Sequence, residues 1–100
     1  MNYINATFTT KAYAGLTTVS AFSGPCMLGN VVFTNQAGSA KILKIYDGLS
    51  ALGTLIFDIE VADATTIAIP GDWRFTTGIW VVAPANTHTT IQYAARGALA

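Results

Sequence analysis

The fold class of this chain is decided by one stretch, Thr54-Leu55-Ile56-Phe57-Asp58-Ile59-Glu60-Val61. Apolar and polar side chains alternate along it, with one extra apolar residue at Ile56. Successive side chains of a strand point to opposite faces of a sheet, so the alternation predicts a half-buried β-strand. We expect the buried face of this strand to carry Leu55, Phe57, Ile59 and Val61.

The residues before this stretch complete a predicted hairpin. Along 41–47 apolar and polar side chains alternate again, with Leu43 and Ile45 on the predicted buried face. The connecting segment opens with Asp47-Gly48, a dipeptide that readily adopts the left-handed backbone of a tight turn. We therefore expect 41–61 to form two antiparallel strands joined by a short loop.

The rest of the chain repeats this pattern of short alternating runs separated by turn residues. Clusters of turn residues stand at 35–38, 70–72 and 84–86. No apolar period of 3.6 residues occurs, so no helix is predicted. The pattern predicts about eight strands. The candidate segments are the two of the hairpin and 5–10, 16–22, 27–34, 66–69, 73–75, 78–83 and 89–95. The expected fold class is all-β, a single antiparallel β-sandwich that is jelly-roll-like.

The length of 100 residues fits a single domain, 1–100, with one modest core. We expect short arms at 1–14 and 97–100, the second being small and apolar without a strand pattern. The first residues lack the basic and apolar regions of a signal peptide, so none is predicted. No apolar run is long enough to predict a membrane-spanning segment.

Charged residues are scarce, since only five basic and five acidic residues occur among the 100, and the net charge is zero. An average soluble domain has about 25% charged residues. A small domain with so few charges covers its surface with Thr, Ser, Asn, Gly, Ala and exposed apolar groups, part of which we expect to be buried against other chains. The scattered basic residues predict no patch for nucleic acid and none for an anionic membrane.

The titratable residues form no recognisable catalytic or metal-binding set. Cys26 and His88 are the single cysteine and the single histidine, too few for a zinc site. We interpret Cys26 as a small buried hydrophobic residue, His88 as an exposed loop residue, and Asp58 with Glu60 as a solvated strand face. No catalytic residue, metal or cofactor is therefore predicted, and the protein is not expected to be an enzyme.

Three aromatic residues, Trp73, Trp80 and Tyr46, are the candidate interface anchors. Tryptophan and tyrosine are enriched in protein interfaces because they combine a large apolar surface with a polar group. Both faces of the predicted strand around Trp80 are apolar, so burial in the core is the first interpretation of the tryptophans and an anchor between subunits is the second. Stacking on a carbohydrate ring is a further alternative.

Several sequence motifs stand in an order that is known from one group of proteins. They are Leu28-Gly29-Asn30-Val31-Val32-Phe33-Thr34-Asn35, Ile45-Tyr46-Asp47-Gly48, Gly53-Thr54-Leu55-Ile56, Pro70, and Phe75-Thr76-Thr77-Gly78-Ile79-Trp80-Val81. Over about residues 24–94 the chain resembles the head decoration (cement) proteins of tailed bacteriophages, cyanophages among them.

The resemblance implies a β-sandwich that forms a homotrimer on the outer capsid surface at local three-fold positions. It implies localisation in the virion, where the trimer bridges neighbouring subunits of the major capsid protein. The alternative hypothesis is a receptor- or carbohydrate-binding module of a phage tail fibre or baseplate. That module would place Trp73, Trp80 and Tyr46 on an exposed face beside polar loops.

Overall fold

The computed structural model describes residues 8–95, which form nine β-strands and no helix. The strands are β1 (Thr9–Ala14), β2 (Thr17–Ser23), β3 (Cys26–Asn35), β4 (Lys41–Asp47), β5 (Thr54–Val61), β6 (Thr65–Ile69), β7 (Trp73–Phe75), β8 (Gly78–Ala83) and β9 (Thr87–Ala95). The predicted all-β class is confirmed, and the predicted hairpin is the antiparallel pair β4–β5. No helix long and apolar enough to cross a membrane occurs in this part of the chain.

The strands form two antiparallel sheets, which pack as a sandwich. The first sheet has the order β1-β9-β3-β6, and β7 continues the edge formed by β6 along the same side of β3. The second sheet has the order β2-β8-β4-β5. With β6 and β7 taken as one interrupted edge strand, the eight strand positions follow the jelly-roll order. Within residues 8–95, β4–β5 is the only pairing between strands that are consecutive in the chain.

The hydrophobic core lies between the two sheets and is built from the inward-facing residues of every long strand. Eight of its side chains have no solvent exposure at all: Leu28, Val31, Phe33, Leu43, Ile45, Ile79, Val81 and Ile91. Burial of one such side chain contributes about 1.5–3 kcal/mol. The apolar residues of the period-two pattern thus form the inner face of each sheet.

One residue of the predicted buried face of β5 points outward instead. Ile45 pairs with Phe57 and the next residue, Tyr46, pairs with Leu55, so Ile56 is an extra residue that forms a β-bulge. The extra residue shifts the alternation by one position, because side-chain orientation in a strand has a period of two. Phe57 is therefore buried while Leu55 is 42% exposed, and the prediction that Leu55 faces the core is wrong.

The predicted N-terminal arm contains a strand of the first sheet. Thr9–Ala14, part of the predicted arm 1–14, is β1 and pairs along its whole length with β9. Residues 1–7 and the predicted C-terminal arm 97–100 lie outside the described residues. The first sheet therefore begins with a strand near the chain start that pairs with the last described strand.

Candidate interaction surface

Cys26, His88 and the two carboxylates of Asp58 and Glu60 lie at three separate places in the sandwich. Cys26 is buried, His88 is exposed within β9 rather than in a loop, and Asp58 and Glu60 are exposed on β5. Burial raises the pKa of the Cys26 thiol to about 11, and the carboxylate of Asp47 adds to this shift. No cluster of three or more His, Cys, Asp or Glu side chains suited to a metal ion occurs in residues 8–95.

The exposed apolar side chains are concentrated on one hairpin instead. Seven large hydrophobic side chains of residues 8–95 are exposed, and five of them lie in β4, β5 or the loop between these strands: Ile42, Leu49, Leu52, Leu55 and Ile56. Scattered exposed apolar residues are ordinary, whereas a group on one element indicates an interaction surface. We call the outward side of β4 and β5 the hairpin face, and Leu49 with Leu52 the leucine tip.

A row of large side chains crosses the second sheet at the end nearest the loop. Tyr46 in β4 pairs with Leu55 in β5 on one side and with Trp80 in β8 on the other. Tyr46 and Trp80 are both half-buried on the outward side of the sheet. The indole Nε1 of Trp80 is covered and has no hydrogen-bond partner in the described chain. The structure thus brings two of the three candidate anchors together.

Charged side chains occupy the remaining part of the hairpin face. Lys44 pairs with Asp58 across the two strands, and Ile42 pairs with Glu60 one row further from the loop. Lys44 and Asp58 make no side-chain ion pair or hydrogen bond within residues 8–95. The face therefore has an apolar end beside the loop and a charged end away from it.

Trp73, the third candidate anchor, lies at a different place. Its ring packs edge-on against Phe57 of the second sheet and is half-buried against the core. Gly71 lies so close to this ring that a Cβ atom at position 71 would collide with it. Trp73 therefore closes the side of the sandwich between β7 and β5, and it does not join Tyr46 and Trp80.

Asp47 holds the loop of the leucine tip at its base. One carboxylate oxygen accepts hydrogen bonds from the Thr76 amide at 3.0 Å and the Thr76 hydroxyl at 3.1 Å. The other accepts from the amides of Thr77 at 2.9 Å and Gly78 at 3.3 Å. Partial burial raises the pKa of Asp47, but these hydrogen bonds outweigh it and hold the pKa below its ordinary value. The loop is therefore attached to the β7–β8 turn.

The loop itself is narrow and presents its leucines to solvent. Leu52 is 96% exposed and Leu49 is 54% exposed. A Cβ atom on Gly48 or Gly53 would collide with the facing backbone, so both positions require glycine. The amide of Gly53 donates to the carbonyl of Ser50 at 3.1 Å and closes the turn. The leucines are not among the sequence-predicted site residues, although two leucines between two glycines of a turn are a signal that could have identified them.

Comparisons with protein-family models and with curated proteins give no match. Among solved structures, one similar chain comes from work on Bacillus endospore appendages, described as a novel family of disulfide-linked pili. The sequence identity is 14%, the alignment covers 95% of each chain, and the TM-score is 0.48. A likeness this distant supports no conclusion about function.

Proposed function

We propose that this protein is a structural subunit that decorates and stabilises a larger assembly. In its specific form, the proposal is a decoration protein on the outer surface of a phage capsid, where it bridges major capsid subunits. The resemblance to phage cement proteins suggests that setting. The observation that carries the proposal is the leucine tip, which projects from a loop that Asp47 anchors to the neighbouring turn.

The leucine tip has the properties of an element that inserts into a joint between other subunits. Leu52 is almost fully exposed in the described chain, so its burial against a partner would contribute about 1.5–3 kcal/mol. The anchored loop loses little conformational freedom on binding, because its backbone is already held by hydrogen bonds. Binding that requires correctly spaced subunits opposes their separation, which is how a cement protein stabilises a shell.

The scarcity of charge favours the same function. Ten charged residues in 100 leave little charge to be desolvated when a large part of the surface is covered. Many identical copies on one particle also act together, so each single contact can be weak.

The test compares two leucines at opposite ends of the sandwich. Leu52 lies in the β4–β5 loop beside the start of β8, whereas Leu16 lies in the β1–β2 turn beside the end of β8 and is 76% exposed. Capsids assembled without the protein are incubated with wild type, Leu52→Ser or Leu16→Ser. We expect Leu52→Ser to lose at least tenfold in affinity for the particles, and Leu16→Ser to bind as wild type does.

The functional readout is the temperature at which the particles release DNA. Wild type and Leu16→Ser should raise this temperature, and Leu52→Ser should not. Equal release temperatures with and without the wild-type protein would refute a cement function. Equal binding by both serine variants would refute the leucine tip as the docking element.

A second candidate function is receptor or carbohydrate binding in a tail fibre or baseplate. The cross-strand pair of Tyr46 and Trp80 on the outward side of the sheet favours it, because sugar rings stack on aromatic faces. Under this function the protein would bind host glycans, Tyr46→Ala would abolish that binding, and particles without the protein would fail to adsorb to the host while keeping their DNA.

A further inference from the structure

We propose that the hairpin face binds the hairpin face of a second copy of this chain. The two copies would be related by a two-fold axis that runs parallel to the strands, lies in the plane between the two faces, and passes over the midline of β4 and β5. This contact is independent of the proposed function. It uses the outward-facing side chains of β4 and β5 and leaves the leucine tip, at the end of the loop, uncovered. It yields a dimer, in contrast to the homotrimer that the resemblance implies.

The strand pairing determines what such an axis would bring together. A half-turn about this axis places β4 of one copy over β5 of the other, at the same height along the strands. Each residue of β4 then faces the β5 residue that is its own partner within the sheet. The cross-strand pairs of one chain therefore become the contacts between two chains, as an isologous interface requires.

The apolar end of the face is self-complementary under this axis. Tyr46 of each copy meets Leu55 of the other, because these two residues are paired within the sheet. The bulge residue Ile56 is 40% exposed beside Leu55 and widens the apolar contact. Because of the two-fold symmetry, the contact between Tyr46 of one copy and Leu55 of the other is made twice.

The charged end of the face is self-complementary as well. Lys44 pairs with Asp58 within the sheet, so the axis places the ammonium of each copy opposite the carboxylate of the other. The dimer therefore contains two intermolecular ion pairs between Lys44 and Asp58, and no like charges meet in this row. Complementary charges set the register of an interface more than its affinity, so Lys44 and Asp58 would select this axis among the possible ways to stack two faces.

A second copy fits the face better than a partner of another chemistry. An acidic or basic partner would meet one favourable and one unfavourable charge in the row of Lys44 and Asp58. A purely apolar partner would bury both charges without compensation, which costs free energy. The same face turned over supplies an apolar group to the row of Tyr46 and Leu55 and the opposite charge to Lys44 and Asp58, while Glu60 faces Ile42 at the end of the contact.

The test is a charge exchange read by sedimentation equilibrium. Wild type, Lys44→Asp, Asp58→Lys and the double variant Lys44→Asp/Asp58→Lys are compared from about 1 to about 100 µM, the range of weak to moderate affinities. The control is Asp72→Lys, a charge reversal at an exposed residue in the β6–β7 connection of the first sheet. Each variant is melted in parallel, because the single changes also place like charges opposite each other within one sheet.

We expect wild type and Asp72→Lys to reach twice the monomer mass of 10.5 kDa. Each single variant should weaken the dimer at least tenfold, and the double variant should recover most of the loss. A wild-type protein that remains monomeric at the highest concentration, or that forms trimers, would overturn the proposal. Failure of the double variant to recover, with its melting temperature unchanged, would overturn the proposed axis. Neither outcome bears on particle binding by the leucine tip.

Discussion

Trp73 lies edge-on to Phe57, with the ring centroids 4.6 Å apart and the ring planes at 81°. Trp73 belongs to the first sheet and Phe57 to the second, so this aromatic pair links the two sheets at the side of the sandwich. Edge-to-face pairs contribute about 0.5–1.5 kcal/mol beyond the area that they bury. The pair therefore stabilises the closure of the sandwich between β5 and β7.

Phe57→Ala should lower the free energy of unfolding by about 3–5 kcal/mol, because lost burial and a cavity add together. Leu55→Ala is the matched control, two residues away on the same strand but on the exposed side of the bulge. In the monomer it should change the free energy of unfolding by no more than about 0.5 kcal/mol, so both variants are unfolded at a protein concentration where the chain is monomeric. Urea unfolding of both variants measures the difference. Similar losses in the two would contradict the bulge at Ile56.

Asp47→Asn should destabilise the protein by about 1–3 kcal/mol at neutral pH, since charge-assisted hydrogen bonds to Thr76, Thr77 and Gly78 are lost or weakened. The folded protein holds the pKa of Asp47 below the ordinary value of 3.8. The stability from its ionised form is thus fully present above the unfolded pKa and is lost as the pH falls through the lower folded pKa.

Urea unfolding at neutral pH and at several values below about pH 4 tests this assignment. The stability difference between wild type and Asp47→Asn should be largest at neutral pH and should shrink as the pH falls. A difference that stays constant down to about pH 2 would show that the charge of Asp47 contributes nothing.

Cys26 should resist thiol reagents as long as the protein is folded. Its side chain is buried, and burial raises its pKa to about 11, so the reactive thiolate is rare at neutral pH. We expect labelling by an aromatic disulfide reagent to be at least about 100-fold slower in buffer than in denaturing urea, because access requires unfolding. A free thiol peptide of the same local sequence serves as the reference. Rapid stoichiometric labelling of the folded protein would contradict the burial of Cys26.

Local sequence pattern predicted the strands of this fold well and the position of single side chains less well. The run 54–61 is β5 at the predicted bounds, because alternation reports a half-buried strand directly. The outward position of Leu55 could not be predicted, since it depends on a bulge that only the pairing with Tyr46 reveals. Period two assumes regular pairing, and one extra residue reverses every side chain beyond it.

The candidate anchors show the same limit of sequence reasoning. Tyr46, Trp80 and Trp73 were equivalent in the sequence because each is a large aromatic residue next to a turn or in an apolar strand. Long-range strand order separates them, since β8 lies beside β4 whereas Trp73 reaches Phe57 across the sandwich. The residues adjacent in sequence to Tyr46, Trp80 and Trp73 indicate neither of these long-range contacts.

The strand order also has a consequence for how the chain acquires its fold during synthesis. Within residues 8–95 the β4–β5 hairpin is the one pairing that needs no distant segment. β1 can pair only once β9 has been synthesised, and the pairings of β2 and β4 with β8 require the synthesis of β8. During synthesis the β4–β5 hairpin can therefore form first, followed by the pairing of β3 with β6 and β7. The second sheet is completed only after β8 has been translated, and the first only after β9. Such non-local pairing places folding in the slow range of milliseconds to seconds.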